Sequence, residues 1–261
     1  MIDTYGYGDT WRVVSSTSYD WDTAYSCARA AALAYEERDV VAAQAEHWRI
    51  ASTTLDREGT ETVLLLGDEW AVLAFRGTEP GSLYDIRADV DMVLVPAPLG
   101  GLCHRGFLWA LDAVWDALRA RLAAIYTSGR ALYVCGHSLG GALAILTAAR
   151  LLGAGLAVWG CHTFGAPRVG DAEFARCLNV EAGDRVIRHV HNNDTITRLP
   201  PRLLGYRHAG RLIYYDERGD PQTDVGSWYR FCDRVRGRWE DFGEWGTDGV
   251  KDHAVQEYLR I

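Results

Sequence analysis

Hydrophobic residues in this chain recur with two periods, and the switching between them sets the expected architecture. From Trp21 to Tyr35 the run WDTAYSCARAAALAY places alanine, leucine and aromatic residues at helical spacing, and a second helix is predicted from Asp39, a suitable N-cap, through Val41 and Ala45. Glu61 to Leu66 and Trp70 to Phe75 are short apolar runs split by the turn-forming Gly67-Asp68-Glu69, the pattern of an antiparallel hairpin. After a loop from Arg76 to Arg105, the positions Leu108, Leu111, Val114, Trp115, Leu118, Leu122 and Ile125 mark a helix over Phe107 to Tyr126. Beyond it, apolar runs alternate with helical stretches: a strand at Ala131 to Cys135, a helix at Leu139 to Leu152, a strand at Ala157 to Phe164, a short helix at Asp171 to Leu178 and a strand at Val186 to Val190. This alternation predicts an α/β fold with a mixed, mostly parallel central sheet, an antiparallel hairpin at its N-terminal side and helices on both faces. No internal repeat or linker divides the 261 residues, so a single domain over 1–261 is expected.

Composition narrows the function by exclusion. Lys and Arg number 27 against 35 Asp and Glu, a net charge of −8 with no run of like charge long enough to form a tail, which argues against a nucleic-acid partner. No run of about 18 apolar residues occurs, so no transmembrane helix is expected. Met1 to Trp11 carries Asp3 and Asp9 without a basic and apolar leader pattern. Cys27, Cys103, Cys135, Cys161, Cys177 and Cys232 show no CxxC or Cys/His metal spacing, and Cys135 and Cys161 lie in apolar strand-like runs. Free thiols and a cytoplasmic location are the expectation.

The chemistry centres on Gly136-His137-Ser138-Leu139-Gly140, which falls between the strand ending at Cys135 and the helix opening at Leu139. That is the setting of a GxSxG nucleophile elbow, where a strained turn lifts the serine hydroxyl over the sheet and glycines let neighbouring backbone pass closely. A serine hydroxyl needs a base, and the base needs an acid to orient it. In the chain order Ser, acid, His, only His208 and His253 qualify as base. His253 is preferred, because it lies in a loop before a C-terminal helix, whereas His208 precedes the strand-like RLIYYD. Asp194 is preferred as acid, because it follows the strand VIRHV at its carboxyl end, where sites in open α/β sheets form; Asp184 precedes that strand and Asp216 belongs to a later segment. A metal site from His189, His191 and Asp194 is the competing reading, without an evident further ligand, so no metal or cofactor is expected. Oxyanion donors are expected from the backbone of Leu139, directly after the nucleophile, and from Thr78, just past the strand ending at Phe75. The loop over 79–101 is long enough to act as a lid, with Leu83, Ile86 and Val90 forming an apolar stripe at i, i+3 and i+7.

Taken together and in order, five stretches resemble the class 3 lipases: Phe75-Arg76-Gly77-Thr78, His104-Arg105-Gly106-Phe107, Gly136 to Gly141, Thr163 to Asp171, and His191-Asn192-Asn193-Asp194 followed by Leu199-Pro200-Pro201. The resemblance covers about residues 20 to 261. It implies an α/β-hydrolase fold, a triad of Ser138, Asp194 and His253, oxyanion donors at Thr78 and Leu139, and a lid at Asp85 to Val90. Asp171 stands where that family usually has asparagine. The implied reaction is cleavage of carboxylic esters, foremost glycerolipid acyl esters at a lipid–water interface. Phospholipase A1 or short-chain or aryl esterase activity is the alternative, and a catalytically silent binding module on the same fold is a further one.

Overall fold

The computed structural model describes residues 7–78, 92–223 and 252–260. Helices α1 (Trp21–Leu33) and α2 (Arg38–His47) come first. The Asp20 carboxylate caps α1 by accepting from Thr23 N at 2.8 Å, which satisfies one of the donors that a helix start leaves orphaned. Next comes a three-stranded antiparallel meander of β1 (Ala51–Arg57), β2 (Thr60–Leu66) and β3 (Trp70–Phe75). The β2–β3 pair is the expected hairpin. The strand β1 has no counterpart in the sequence expectations: Leu55 is its buried residue, and an edge strand that is otherwise polar carries no hydrophobic signal.

A small hairpin, β4 (Leu94–Pro96) with β5 (Leu102–His104), occupies part of what reads as loop in the sequence. Its three-residue strands are too short to show a period. At the end of β5, the His104 ring caps helix α3 (Arg105–Thr127), with Nδ1 accepting from Phe107 N at 3.3 Å. Burial pushes the pKa of His104 down to about 4, so the ring stays neutral and keeps the lone pair that the cap requires. One face of α3 buries Phe107, Leu111, Val114, Leu118, Leu122 and Ile125, each worth about 1.5–3 kcal/mol of apolar burial.

The expected alternation continues through β6 (Ala131–His137), α4 (Leu139–Gly153), β7 (Gly160–Phe164), α5 (Ala172–Ala182) and β8 (Val186–His191); β9 (Arg211–Tyr215) falls on the strand-like RLIYYD, α6 (Val255–Arg260) on the C-terminal helix, and β10 (Pro221–Thr223) has no counterpart in the sequence expectations. Asp171 caps α5 through Oδ1, which accepts from Phe174 N at 2.8 Å and from Leu102 N at 3.1 Å. An asparagine amide oxygen could accept both bonds equally well, so the departure from the family's usual residue leaves this junction intact.

The main sheet has eight strands in the order β1-β2-β3-β6-β7-β8-β9-β10. The strands β3, β6, β7, β8 and β9 run parallel, and antiparallel strands flank them on both sides. Side chains alternate between two cores. Leu132 and Val134 of β6, with Leu73 and Phe75 of β3, face α3, α4 and α5, while Tyr133 and Cys135, with Val72 and Ala74, face α1, α2 and α6. This is the mixed, mostly parallel sheet with helices on both faces that the periodicity predicts. The register pairs Phe75 with Gly136, His137 with Phe164, and Phe164 with His189, so the carboxyl ends of four neighbouring strands lie level. Along that edge the segments carrying Thr78, Ser138, Gly165 and Asp194 emerge.

Candidate active site

Ser138 sits between β6 and α4 with φ 57° and ψ −127°, a conformation that costs a non-glycine residue of order 1–3 kcal/mol and is held only by its surroundings. The restraints are identifiable. The Ser138 N–H donates to the Phe164 carbonyl at 2.9 Å, and its own carbonyl accepts from Gly141 N at 3.0 Å. A Cβ at Gly136 would meet the Gly140 carbonyl group at 2.3 Å, and one at Gly140 would meet the Phe75 carbonyl oxygen at 2.2 Å. Both glycines are therefore steric requirements of the turn. Leu139 opens α4, and its N–H belongs to the first turn, where no intrahelical acceptor exists. Thr78 lies beyond β3 in a segment packed on the elbow, for a Cβ at the preceding Gly77 would come within 3.2 Å of Ser138 Cβ and 2.6 Å of the His137 carbonyl oxygen.

His253 lies just ahead of α6, and its Nδ1–H donates to Asp194 Oδ2 at 2.9 Å. Both side chains are shut off from solvent. With Nδ1 committed to the carboxylate, the lone pair of the neutral ring is on Nε2, which is buried without a hydrogen-bond partner among the described residues. Gly165, with φ 62°, is the floor beneath this pair: a Cβ there would fall 2.6 Å from Asp194 Oδ2 and 2.9 Å from His253 Nδ1. Since Ser138 N–H is bonded to Phe164, next to Gly165, the elbow and the His253–Asp194 pair share one small platform.

The carboxylate of Asp194 is oriented by more than the histidine. Oδ2 accepts a 2.6 Å hydrogen bond from the Tyr258 hydroxyl on α6, and Oδ1 accepts from Ile196 N at 2.9 Å. Tyr258 O in turn accepts from His191 N at 3.1 Å. Burial, followed by the charge of Asp194, raises the Tyr258 pKa well above that of an ordinary tyrosine, so it remains a donor. On the other side, His137 Nε2–H donates to the His253 carbonyl at 2.6 Å, and its Nδ1 accepts from the Tyr35 hydroxyl at 2.8 Å. Burial and then the adjacent His253 ring hold the His137 pKa far below the usual value, which keeps it neutral and suited to both bonds. Asp252 Oδ2 accepts from Asn193 N at 3.0 Å, tying the His253 segment to the loop that bears Asp194.

Ser138, Asp194 and His253 are thus gathered on one platform, with Thr78 and Leu139 beside the elbow. His208 is not among them, for its Nε2 hydrogen-bonds the Thr197 carbonyl at 2.8 Å. Nor does the metal reading fit. The His189 ring is shared between Tyr215 Oη at 2.9 Å and His162 Nδ1 at 3.3 Å, the Asp194 oxygens are taken up as described, and no cluster of metal-binding side chains occurs among the described residues. Leu83, Ile86 and Val90 of the candidate lid lie outside the described residues; residues 94–96 and 102–104 at its C-terminal end form the β4–β5 hairpin, with Val95, Ala97 and Leu99 packed on the core. Tyr35, His137, Tyr258 and Asp252 were not singled out in the sequence for chemistry. Position 137 inside the elbow motif was the one available signal; the other three depend on contacts across 59 to 102 residues.

A parallel-centred sheet with helices on both faces and a serine on a strained strand-to-helix turn define an α/β hydrolase. Residues 72–204 match the family model for Lipase (class 3), and the chain belongs to that family. Among curated relatives, a secreted mono- and diacylglycerol lipase of Fusarium solani is 34% identical over 134 residues, which cover 51% of this chain and 40% of the relative. Among solved structures, the triacylglyceride lipase of Rhizomucor miehei superposes with a TM-score of 0.68 at 25% identity, covering 88% of this chain and 91% of that one. A triacylglycerol lipase whose catalytic centre is formed by a serine protease triad gives the same TM-score of 0.68, identity of 25% and coverage of 88% and 91%. The chain spans about half or less of the length of the curated relatives it matches.

The expected cytoplasmic location is corrected by these comparisons, since the Fusarium solani relative is named as secreted and points to an extracellular setting. The expectation leaned on free thiols and on the lack of a leader pattern in Met1 to Trp11, and neither reports the compartment. Cys27, Cys103, Cys135 and Cys161 are free and buried in the interior, which does not report the compartment.

Proposed function

We propose that this chain is a serine hydrolase that cleaves the carboxylic esters of glycerolipids by way of an acyl-enzyme. The observation that carries the reading is the buried His253–Asp194 pair at 2.9 Å, its Nε2 lone pair uncommitted, on the same platform as a serine in a strained elbow. In this mechanism His253 Nε2 takes the hydroxyl proton as Ser138 Oγ attacks the ester carbonyl carbon. Asp194 holds the ring in the required tautomer and stabilises the imidazolium that forms. The tetrahedral oxyanion is met by the Leu139 N–H, at the positive end of α4, and by Thr78. Collapse expels the alcohol, which receives the proton from His253. Water, deprotonated by the same ring, then attacks the acyl-serine and releases the acid. The relatives named as lipases support a lipid ester as substrate, and the predominance of lipases among them favours glycerolipids over short-chain or aryl esters.

The test is hydrolysis of p-nitrophenyl esters from acetyl to palmitoyl, below and above their solubility limits, together with Ser138→Ala and fluorophosphonate labelling. Turnover that requires Ser138 and rises with chain length and with the appearance of an interface is expected. Preference for short dissolved esters would replace the glycerolipid by a soluble ester, and a Ser138→Ala variant as active as the parent would overturn the mechanism.

A further inference from the structure

Between Asp194 and β9 the chain contains Arg198, Arg202, Arg207 and His208 and no carboxylate, in a protein whose net charge is −8. Within this stretch the 3-10 turn Arg202–Leu204 presents two leucines that are uncovered among the described residues: Leu203 is 98% exposed and Leu204 is 50% exposed. The turn is stiff. Pro201 precedes it, Leu204 N and Gly205 N donate back to the carbonyls of Pro201 and Arg202 at 3.0 and 3.1 Å, and Gly205 closes it with φ 89°. Arg168 reaches the loop from the segment after β7 and donates to the carbonyls of Arg198 and Pro200. Arg207 donates to the carbonyls of Arg202 and Tyr206. Arg202 and Arg207 are close enough to Arg168 to lower its pKa by repulsion, after burial, and none of the three forms an ion pair with a carboxylate among the described residues.

We infer that the turn bearing Leu203 and Leu204, rimmed by Arg168, Arg202 and Arg207, is a docking surface for a lipid layer with anionic phosphate headgroups. The chemistry favours that partner over a protein. A single, almost wholly exposed leucine on a convex turn needs a shaped pocket in a protein, whereas the boundary between headgroups and acyl chains accepts it anywhere. Guanidinium groups without acidic partners match phosphates in geometry and charge. The rest of the chain, being acidic, is repelled by such a layer, so this patch also fixes orientation. The segment that carries it leaves β8 at the carboxyl edge of the sheet, the edge at which Ser138 stands. The inference goes beyond the ester-cleaving reading and does not depend on it.

Sedimentation with vesicles of ether-linked phospholipid, which contain no ester to cleave, tests it by binding alone. Dialkyl phosphatidylcholine vesicles with about a third dialkyl phosphatidylglycerol are compared with pure dialkyl phosphatidylcholine. Binding to the anionic vesicles is expected to exceed binding to the neutral ones at least about fivefold and to weaken with salt. Leu203→Ser is expected to lower the partition coefficient about tenfold, and Arg202→Glu by a similar factor. Both side chains project from the fold, and a thermal melt of each variant checks that it stays folded. Failure to bind, equal binding to both vesicle types, or binding that neither substitution changes overturns the inference. Because no turnover is read, such a failure leaves the hydrolase reading untouched, and an inactive Ser138 leaves the docking result untouched.

Discussion

The Tyr258 hydroxyl offers a sharp test of how the acid–base pair is held. Tyr258→Phe removes one oxygen and leaves the ring, which packs edge-on against Phe164 at 6.0 Å, in place. Two hydrogen bonds disappear: the 2.6 Å donation to Asp194 Oδ2 and the 3.1 Å acceptance from His191 N. A hydrogen bond to a charged group contributes about 1.5–3 kcal/mol, and a buried N–H left unpaired costs about 1–3 kcal/mol. The expected loss of folding stability is therefore about 2.5–6 kcal/mol. Catalysis should suffer less than stability. Asp194 keeps the Ile196 N–H on Oδ1 and the His253 ring on Oδ2, so the tautomer survives while the carboxylate gains freedom to rotate. A positional loss of about 1.4 kcal/mol in the transition state corresponds to about tenfold in kcat. Asp194→Asn, which destroys the tautomer, should cost about 10⁴. The assay is kcat and KM on a dissolved p-nitrophenyl butyrate, paired with urea unfolding of the same samples. A drop in kcat with KM unchanged is the expected signature. If stability falls as calculated while kcat stays within twofold, the hydroxyl merely secures α6 and the positioning argument is wrong.

Other consequences follow from the same geometry. Gly165→Ala sets a methyl group 2.6 Å from Asp194 Oδ2 at a positive φ, and should lower kcat by at least about 100-fold with loss of fluorophosphonate labelling; normal labelling would refute the platform. Gly136→Ala, whose Cβ would overlap the Gly140 carbonyl group at 2.3 Å, should abolish soluble folded protein rather than activity alone, as judged by circular dichroism of whatever is recovered. Acid should destabilise the fold through His162, which burial holds at about 4 and so keeps neutral in the native state. The unfolded chain takes up a proton below about pH 6.5 and the folded one does not, so stability falls as pH drops through 6.5 toward 4, by about 1.4 kcal/mol per unit. His162→Gln should flatten the slope of urea stability against pH in that window, and an unchanged slope would count against the assignment.

What could be read from the sequence follows from how local each signal is. The helix α3 announces itself because its buried face repeats within one stretch of chain, from Phe107 to Ile125. The elbow does so because Gly136, Ser138 and Gly140 are compelled by contacts among neighbours, and the geometry of Asp194 follows from the rule that sites open at the carboxyl ends of strands. The edge strand β1 is nearly silent, since Leu55 alone turns inward along its length, and the β4–β5 hairpin has strands of three residues, too short for any period. The location is not legible here, because neither free thiols nor the pattern of Met1 to Trp11 carries a physical record of the compartment.

The residues missed at the site share a different property. Tyr35, His137, Tyr258 and Asp252 act through partners that the chain brings together only once the sheet has formed, and a tyrosine or aspartate in a helical or loop segment looks ordinary until then. Their arrangement has a logic that the triad alone lacks. Tyr35 lies just beyond α1, His137 on the elbow, His253 and Tyr258 at the C-terminal end, and Asp194 after β8, so the hydrogen bonds running from Tyr35 through His137 to His253, and from Tyr258 to Asp194, join four separate parts of the chain at one point. His137 and Tyr258 are buried, and each is held in the protonation state its bonds need: His137 neutral by desolvation, Tyr258 protonated by burial and the neighbouring carboxylate. In the proposed mechanism a general base placed in this way needs no reorganisation when the reaction begins, because the segment carrying it is fixed from both sides. The cost is that the C-terminal segment cannot loosen without releasing His253, so in the proposed mechanism α6 serves the catalytic apparatus as well as the fold.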